Sequence, residues 1–218
     1  ANQRTGKSLT VEQARQLLAA ASGTELEAMW TLMLYLGLRP GEAAGLSWSD
    51  IDFTAGTIHI WRARTTNTDG SATIGATKTP GSIRTLEAPR VVLESLESHR
   101  QRQDEHADAL GPAWSNPDNL VFTSPTGRPA DPKAVRNEFD RLITSAGIEG
   151  RWTPNLLRHT AASLMADAGL PIEHVADQLG HEDLRMLQQH YRHRIKPTVG
   201  GAHVLDSVLG ANPPSSDG

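Results

Sequence analysis

Residues Thr153 to His193 read TPNLLRHTAASLMADAGLPIEHVADQLGHEDLRMLQQHYRH, and the rest of the chain is organised around them. Thr153 is suited to cap a helix, Pro154 fits its first position because the missing N–H has no partner there, and Gly169 supplies a left-handed stop, so one helix spans roughly this interval. Asn155 and Arg158 stand three residues apart on one face of it, while Leu157, Ala161, Leu164, Met165 and Ala168 form an apolar stripe. Pro171 starts a second helix that Gly180 ends. His181 follows at the turn, and Tyr191 comes ten residues later in a third helical pattern. A cation on a packed helix, an imidazole and a phenol can thus be presented to one point. With no cysteine and no carboxylate cluster beside them, these groups suit attack on a phosphate ester better than acyl transfer or metal chemistry.

Upstream, Thr10 and Gln13 form a capping box for a helix whose apolar side is Val11, Ala14, Leu17, Leu18 and Ala21. Glu25 to Leu36 is apolar on nearly every face and reads as a buried helix stopped by Gly37, with Tyr35 a core residue rather than a catalytic one. Arg39 follows, just before Pro40 and a short helical turn, Gly41 to Leu46. On its own it serves equally well as a structural ion pair with Glu42 or as a functional cation. Thr57 to Ala63, Ala72 to Thr77 and Ile83 to Leu86 read as three strands joined by turns at Asn67 to Gly70 and Pro80 to Ser82, a small antiparallel meander. Lys78, in TKTPGSIRTL, sits at the tip of the second turn, where a lysine alone is ordinarily just solvated. Val91 to Leu110 reads as a long polar helix with apolar Val92, Leu93 and Leu96 and an acidic, solvated end. Gly111 to Pro132 reads as a loop interrupted by an extended segment at Leu120 to Thr123, and Asp131 with Pro132 caps a helix running to Ala146. The fold class is mainly α with a small three-stranded antiparallel sheet, an α+β arrangement.

At 218 residues and 38% hydrophobic, the chain can build one large domain with a real core. The absence of cysteine removes disulfide frameworks and thiolate metal sites and leaves no demand for an oxidising compartment, so a cytoplasmic location is expected. The longest apolar run, Ala28 to Leu38, is interrupted by Thr31 and Gly37 and is too short to span a membrane. A net charge of −4 argues against a generic nucleic-acid binder, although phosphate binding depends on where cations cluster. Arg62, Arg64, Lys78, Arg84, Arg128, Lys133, Arg136, Arg192, Arg194 and Lys196 could line one side, with the acids concentrated in Glu94 to Asp108.

The words LLRHT, then LGH, then a tyrosine about ten residues on, together with the arginine of LGLRPGEAAGLSW, resemble the tyrosine recombinase (phage integrase) family in order and spacing. The resemblance covers roughly Leu9 to Lys196, and YRHRIKP with GGAHVLDSVLG is similar to integrases of actinobacterial mobile elements. It implies a site-specific recombinase that cleaves and rejoins DNA through a 3′-phosphotyrosyl intermediate. In that reading Arg39 and Arg158 hold the phosphate, Lys78 protonates the leaving sugar oxygen, His181 contacts phosphate or assists proton movement, and Tyr191 is the nucleophile. Glu42 orients an arginine. Asn155 departs from the family's usual histidine: an amide keeps a phosphate contact but cannot trade a proton at neutral pH. No cofactor is implied, because the covalent link retains the energy of the broken phosphodiester. The implied partners are double-stranded attachment-site DNA and further protomers, as a tetramer on DNA. The chain starts at Ala1, and the expectation is that N-terminal DNA-binding domains lie outside it.

The expected organisation is a linker stub at 1–7, a catalytic domain at 8–197, a C-terminal docking segment at 198–210 and a tail at 211–218. Two rivals stand beside this reading. One is a catalytically impaired DNA-binding descendant, motivated by Asn155; the other is a type IB topoisomerase-like enzyme sharing the chemistry.

Overall fold

The computed structural model describes residues 7–66, 72–76 and 82–180. Lys78, His181, Tyr191 and everything beyond residue 180 lie outside the described residues.

Helix α1 (Val11–Ala21) starts at the expected capping box, with Gln13 N–H donating to Thr10 Oγ1 at 3.2 Å and Thr10 N–H to Gln13 Oε1 at 3.1 Å. It buries Ala14, Leu17 and Ala21 against α2 (Glu27–Leu36), the central helix, while Val11 of the expected stripe is exposed. Every position of α2 from Ala28 to Leu36 is buried except Tyr35, which is exposed. The expectation of a core tyrosine is therefore corrected. α1 and the later helices cover the rest of α2, and its single outward position carries the side chain best able to place a polar tip in water. Gly37 ends α2 in the left-handed region, φ +67°, and a Cβ there would lie 2.2 Å from Leu179 Cδ2. The left-handed backbone favours glycine here, and a side chain would also have to displace the Leu179 methyl.

The short helix α3 (Pro40–Gly45) follows and lies on the backbone of β3 (Arg62–Thr66). A Cβ at Gly41 would fall 2.6 Å from the Arg64 carbonyl oxygen, and one at Gly45 2.9 Å from the Arg64 nitrogen, so the spacing of four puts both glycines against the strand.

A three-stranded antiparallel sheet is present, but its strands are β1 (Ile51–Asp52), β2 (Thr57–Ile60) and β5 (Arg84–Glu87), in the order β1-β2-β5. β3 and β4 (Ala72–Ala76) form a separate hairpin, with Arg62 opposite Ala76 and Thr65 opposite Thr73. The single strand expected at Thr57 to Ala63 breaks at Trp61, because Asp50 pulls the chain aside there. Its carboxylate accepts from Trp61 Nε1 at 2.9 Å and from Arg62 Nε and Nη2 at 3.1 and 2.9 Å. β2 then pairs with β5, Ile58 opposite Leu86 and Ile60 opposite Arg84.

α4 (Arg90–Leu110) buries Val92, Leu96 and His99 and packs on α2, and His99 lies against the extended, buried segment at residues 120–122. Val121 N–H donates to the Leu46 carbonyl, which fastens that segment beside the end of α3. α5 (Pro132–Ser145), capped by Asp131, sets Phe139 against Trp30 at 5.3 Å between ring centroids. α6 (Asn155–Asp167) packs on α2 and ends with Leu170 N–H bonded to the Met165 carbonyl around Gly169, as expected; Ala168, placed in its apolar stripe, is exposed. α7 (Ile172–Leu179) covers α6 through a small apolar cluster of Ala162, Val175, Ala176 and Leu179. The main core is continuous from Leu9 through α2 to Leu157. No helix among the described residues is long and apolar enough to cross a membrane.

Candidate active site

Arg158 lies on the buried side of α6, 6% exposed. Its Nη1 donates to the Gly37 carbonyl at 2.8 Å and its Nη2 to the Leu179 carbonyl at 2.6 Å. Both carbonyls stand at helix C-termini, of α2 and α7, where unpaired oxygens carry the negative end of the helix dipole. One guanidinium fork therefore joins two chain ends that a point charge could not hold in the same plane. Arg39 is two residues beyond one carbonyl and His181 two residues beyond the other. Asn155, one turn before Arg158 on α6, is exposed.

Arg39 caps α3, and its side chain is 40% exposed. Glu42, 2% exposed, accepts from the Arg39 backbone N–H at 2.9 Å and from Arg39 Nη1 at 2.8 Å. Arg39 is thus in an ion pair with Glu42 and still reaches solvent. Glu42 also accepts from Arg84 Nη2 at 3.0 Å and Nη1 at 3.3 Å. Burial alone would raise the Glu42 carboxyl. The hydrogen bonds and charges of Arg84 and Arg39 outweigh it and hold the group below the ordinary carboxylate range.

Arg84 is the residue that sequence reasoning misplaced. Expected in a DNA-facing row, its side chain is only 7% exposed and is committed to Glu42, the Ser82 carbonyl and the Gln178 carbonyl. A buried carboxylate needs a buried partner. The signal was strand alternation: Arg84 shares a face with buried Leu86 and lies opposite buried Ile60.

Other members of the expected cationic row also have internal partners. Arg62 is paired with Asp50, and Arg136 with Asp140 and the Trp152 carbonyl. Arg64 donates to the Ala130 carbonyl; burial lowers its pKa, with Asp131 acting against that shift. Arg128 and Lys133 are exposed. Of the six expected site residues, the structure places Arg39, Asn155 and Arg158. Among the described residues no group of histidine and carboxylate side chains could hold a metal ion.

A model described as the phage integrase family matches residues 7–196. An integrase of Streptomyces ambofaciens is 34% identical over 223 residues, covering 96% of this chain and 55% of that protein. A protein named tyrosine recombinase XerC-like, from Caldanaerobacter subterraneus subsp. tengcongensis, is 29% identical over 209 residues, covering 91% of this chain and 53% of its own length. The chain thus spans about half the length of these curated relatives. Among solved structures, the integrase of transposon Tn1549 in complex with circular intermediate DNA has the same fold, with a TM-score of 0.71 at 21% identity over 93% of this chain and 67% of that one. Arg39 and Arg158 fall within a match that spans most of the sequence, and the chain belongs to the phage integrase family.

Proposed function

We propose that residues 8–197 are the catalytic domain of a site-specific DNA recombinase or integrase, which cleaves and rejoins strands through a 3′-phosphotyrosyl intermediate. The observation that carries this reading is the Arg158 guanidinium seated on the Gly37 and Leu179 carbonyls, which fixes the starts of the segments leading to Arg39 and His181. Two arginines suit the nonbridging phosphate oxygens because their forks stay protonated and match phosphate geometry. Tyr191 Oη attacks phosphorus, the bond to the 5′ sugar oxygen breaks, and Lys78 gives that oxygen its proton. His181 assists loss of the phenolic proton, which at a pKa of about 10 is otherwise held at neutral pH. Asn155, exposed at the start of α6, donates its amide to the phosphate. Rejoining reverses these steps with a new 5′ hydroxyl, so the reaction needs neither ATP nor a metal.

The partners in this reading are double-stranded attachment sites and further protomers, as a tetramer on DNA; DNA-binding domains outside this chain would complete the grip. The Tn1549 integrase solved with DNA supports the first of these. The place of action is the cytoplasm, at the nucleoid. Incubation with fragments of the genome that encodes the chain, followed by denaturing electrophoresis, tests the reading. A protein–DNA adduct that disappears in Tyr191→Phe is expected. DNA binding with no adduct would favour the second reading, a binding descendant that lost proton exchange when asparagine took position 155.

A further inference from the structure

We propose that Arg84 is a positioning residue that couples the alignment of Arg39 to the two chain segments on which the rest of the site depends; this rests on the strand-transfer reading given above. Four contacts of one buried guanidinium carry the inference. Nη1 and Nη2 reach the two oxygens of Glu42 at 3.3 and 3.0 Å, Nη1 also donates to the Ser82 carbonyl at 3.0 Å, and Nε donates to the Gln178 carbonyl at 2.9 Å. Each partner leads to a different candidate group. Glu42 holds the Arg39 guanidinium at 2.8 Å, Ser82 stands four residues after Lys78 in sequence, and Gln178 lies in the last turn of α7, three residues before His181.

The geometry distinguishes Arg84 from a cation that merely neutralises a buried acid. Neutralising Glu42 requires only a charge nearby, and Arg39 already supplies one. The planar fork of Arg84 instead fixes both carboxylate oxygens, so the face of Glu42 offered to Arg39 cannot rotate. Arg39 itself is 40% exposed on its side chain and would otherwise sample many rotamers in water. Its orientation is thus determined from the buried side, by a residue 45 positions away in sequence. A lysine in place of Arg84 keeps the charge but has no planar fork, so it can satisfy Glu42 or the Gln178 carbonyl in changing combinations without fixing either.

The test uses the full chain with Arg84→Lys, alone and combined with Arg39→Ala. Nitrogen-15 NMR of the arginine side chains reads positioning without DNA. In the parent protein the Arg39 guanidinium signals should be sharp and slow to exchange, and in Arg84→Lys they should broaden and exchange at least fivefold faster. Single-turnover cleavage of the genomic duplex on which the parent chain forms its adduct reads the consequence. Arg84→Lys should lower the cleavage rate about 10- to 100-fold with DNA affinity changed less than about threefold, and in the Arg39→Ala background it should add less than about twofold. An effect of equal size with and without Arg39 overturns the coupling, as do unchanged Arg39 signals. If Arg84→Lys does not fold, Arg84→Gln, which leaves Glu42 paired with Arg39 and lets a neutral amide donate to one carboxylate oxygen, is read by the same two criteria. If the parent chain forms no adduct on any duplex, the strand-transfer reading fails, while the NMR arm still decides whether Arg84 positions Arg39.

Discussion

The Glu42 carboxylate is the residue on which the polar interior depends. Buried at 2% exposure and bonded to Arg39 and Arg84, it cannot lose its charge without leaving the buried Arg84 guanidinium uncompensated. Breaking a buried pair from one side costs about 3–5 kcal/mol, so Glu42→Gln is expected to lower unfolding stability by an amount in that range, measured by urea titration. Arg39→Ala removes a partner that is 40% exposed and leaves Glu42 still paired with Arg84, so its cost should stay under about 1 kcal/mol while adduct formation falls steeply. Equal stability losses for the two variants would make Arg39 a structural residue. Asn155 is exposed at the start of α6. Asn155→His should therefore leave stability and DNA affinity nearly unchanged and speed single-turnover cleavage, about tenfold if proton exchange limits the step; an equal or slower rate would mean the site works through the amide. Arg39, Asn155 and Arg158 were legible because they sit in words whose order and spacing carry meaning. Arg84 was not, since an arginine in a basic stretch looks like a surface cation until its strand face is known.

Among the elements, the short helix α3 has the least freedom. Its glycines at 41 and 45 lie on β3, with room for hydrogen but not for carbon: a Cβ at Gly41 would meet the Arg64 carbonyl oxygen at 2.6 Å. In an exposed helix, glycine to alanine normally stabilises by about 1 kcal/mol. Here the sign should reverse, because the atom met is backbone and cannot swing aside. Gly41→Ala is expected to destabilise by about 1–3 kcal/mol, the range for overpacking, and to loosen amide protection in the β3–β4 hairpin as followed by hydrogen exchange. A stabilised variant would show that α3 and the hairpin are not in contact in solution. The same elements show what local reading can reach. The starts of α1 and α5 and the ends of α2, α6 and α7 were legible, since caps and left-handed glycines act within a few residues. The pairing of β2 with β5 was not: the choice is made by Asp50, which takes Trp61 and Arg62 out of the first sheet through contacts 11 and 12 residues away. Alternation of side chains marks a strand but does not name its neighbour.

On the scale of the whole molecule, two buried groups link stability to pH in separate windows. His99 packs between Trp48 and Phe122 and shares a 2.8 Å hydrogen bond with the Val121 carbonyl, the segment that closes the core beside α4. Burial lowers its pKa from the usual 6.5; the Val121 contact opposes that shift, and Arg102 adds to it. The unfolded chain therefore takes up a proton at this histidine at a higher pH than the folded one, and stability falls as pH drops below about 6.5 towards the folded value. Glu42 acts lower. Its folded pKa lies below the usual 4.5, so its contribution is present above that pH and is lost as pH falls through the folded value. Glu138 opposes both, since burial, with Glu25 adding to it, raises its carboxyl and the folded state takes the proton first. At pH values above the Glu138 transition, the slope should come from His99, at up to about 1.4 kcal/mol per pH unit for one proton. The expected result is that the urea midpoint falls between pH 7.5 and 5.5 in the parent chain and stays nearly level in His99→Gln, whose amide can still donate to the Val121 carbonyl. The same slope in both proteins would assign the acid sensitivity to groups other than His99 and leave that residue a neutral member of the core.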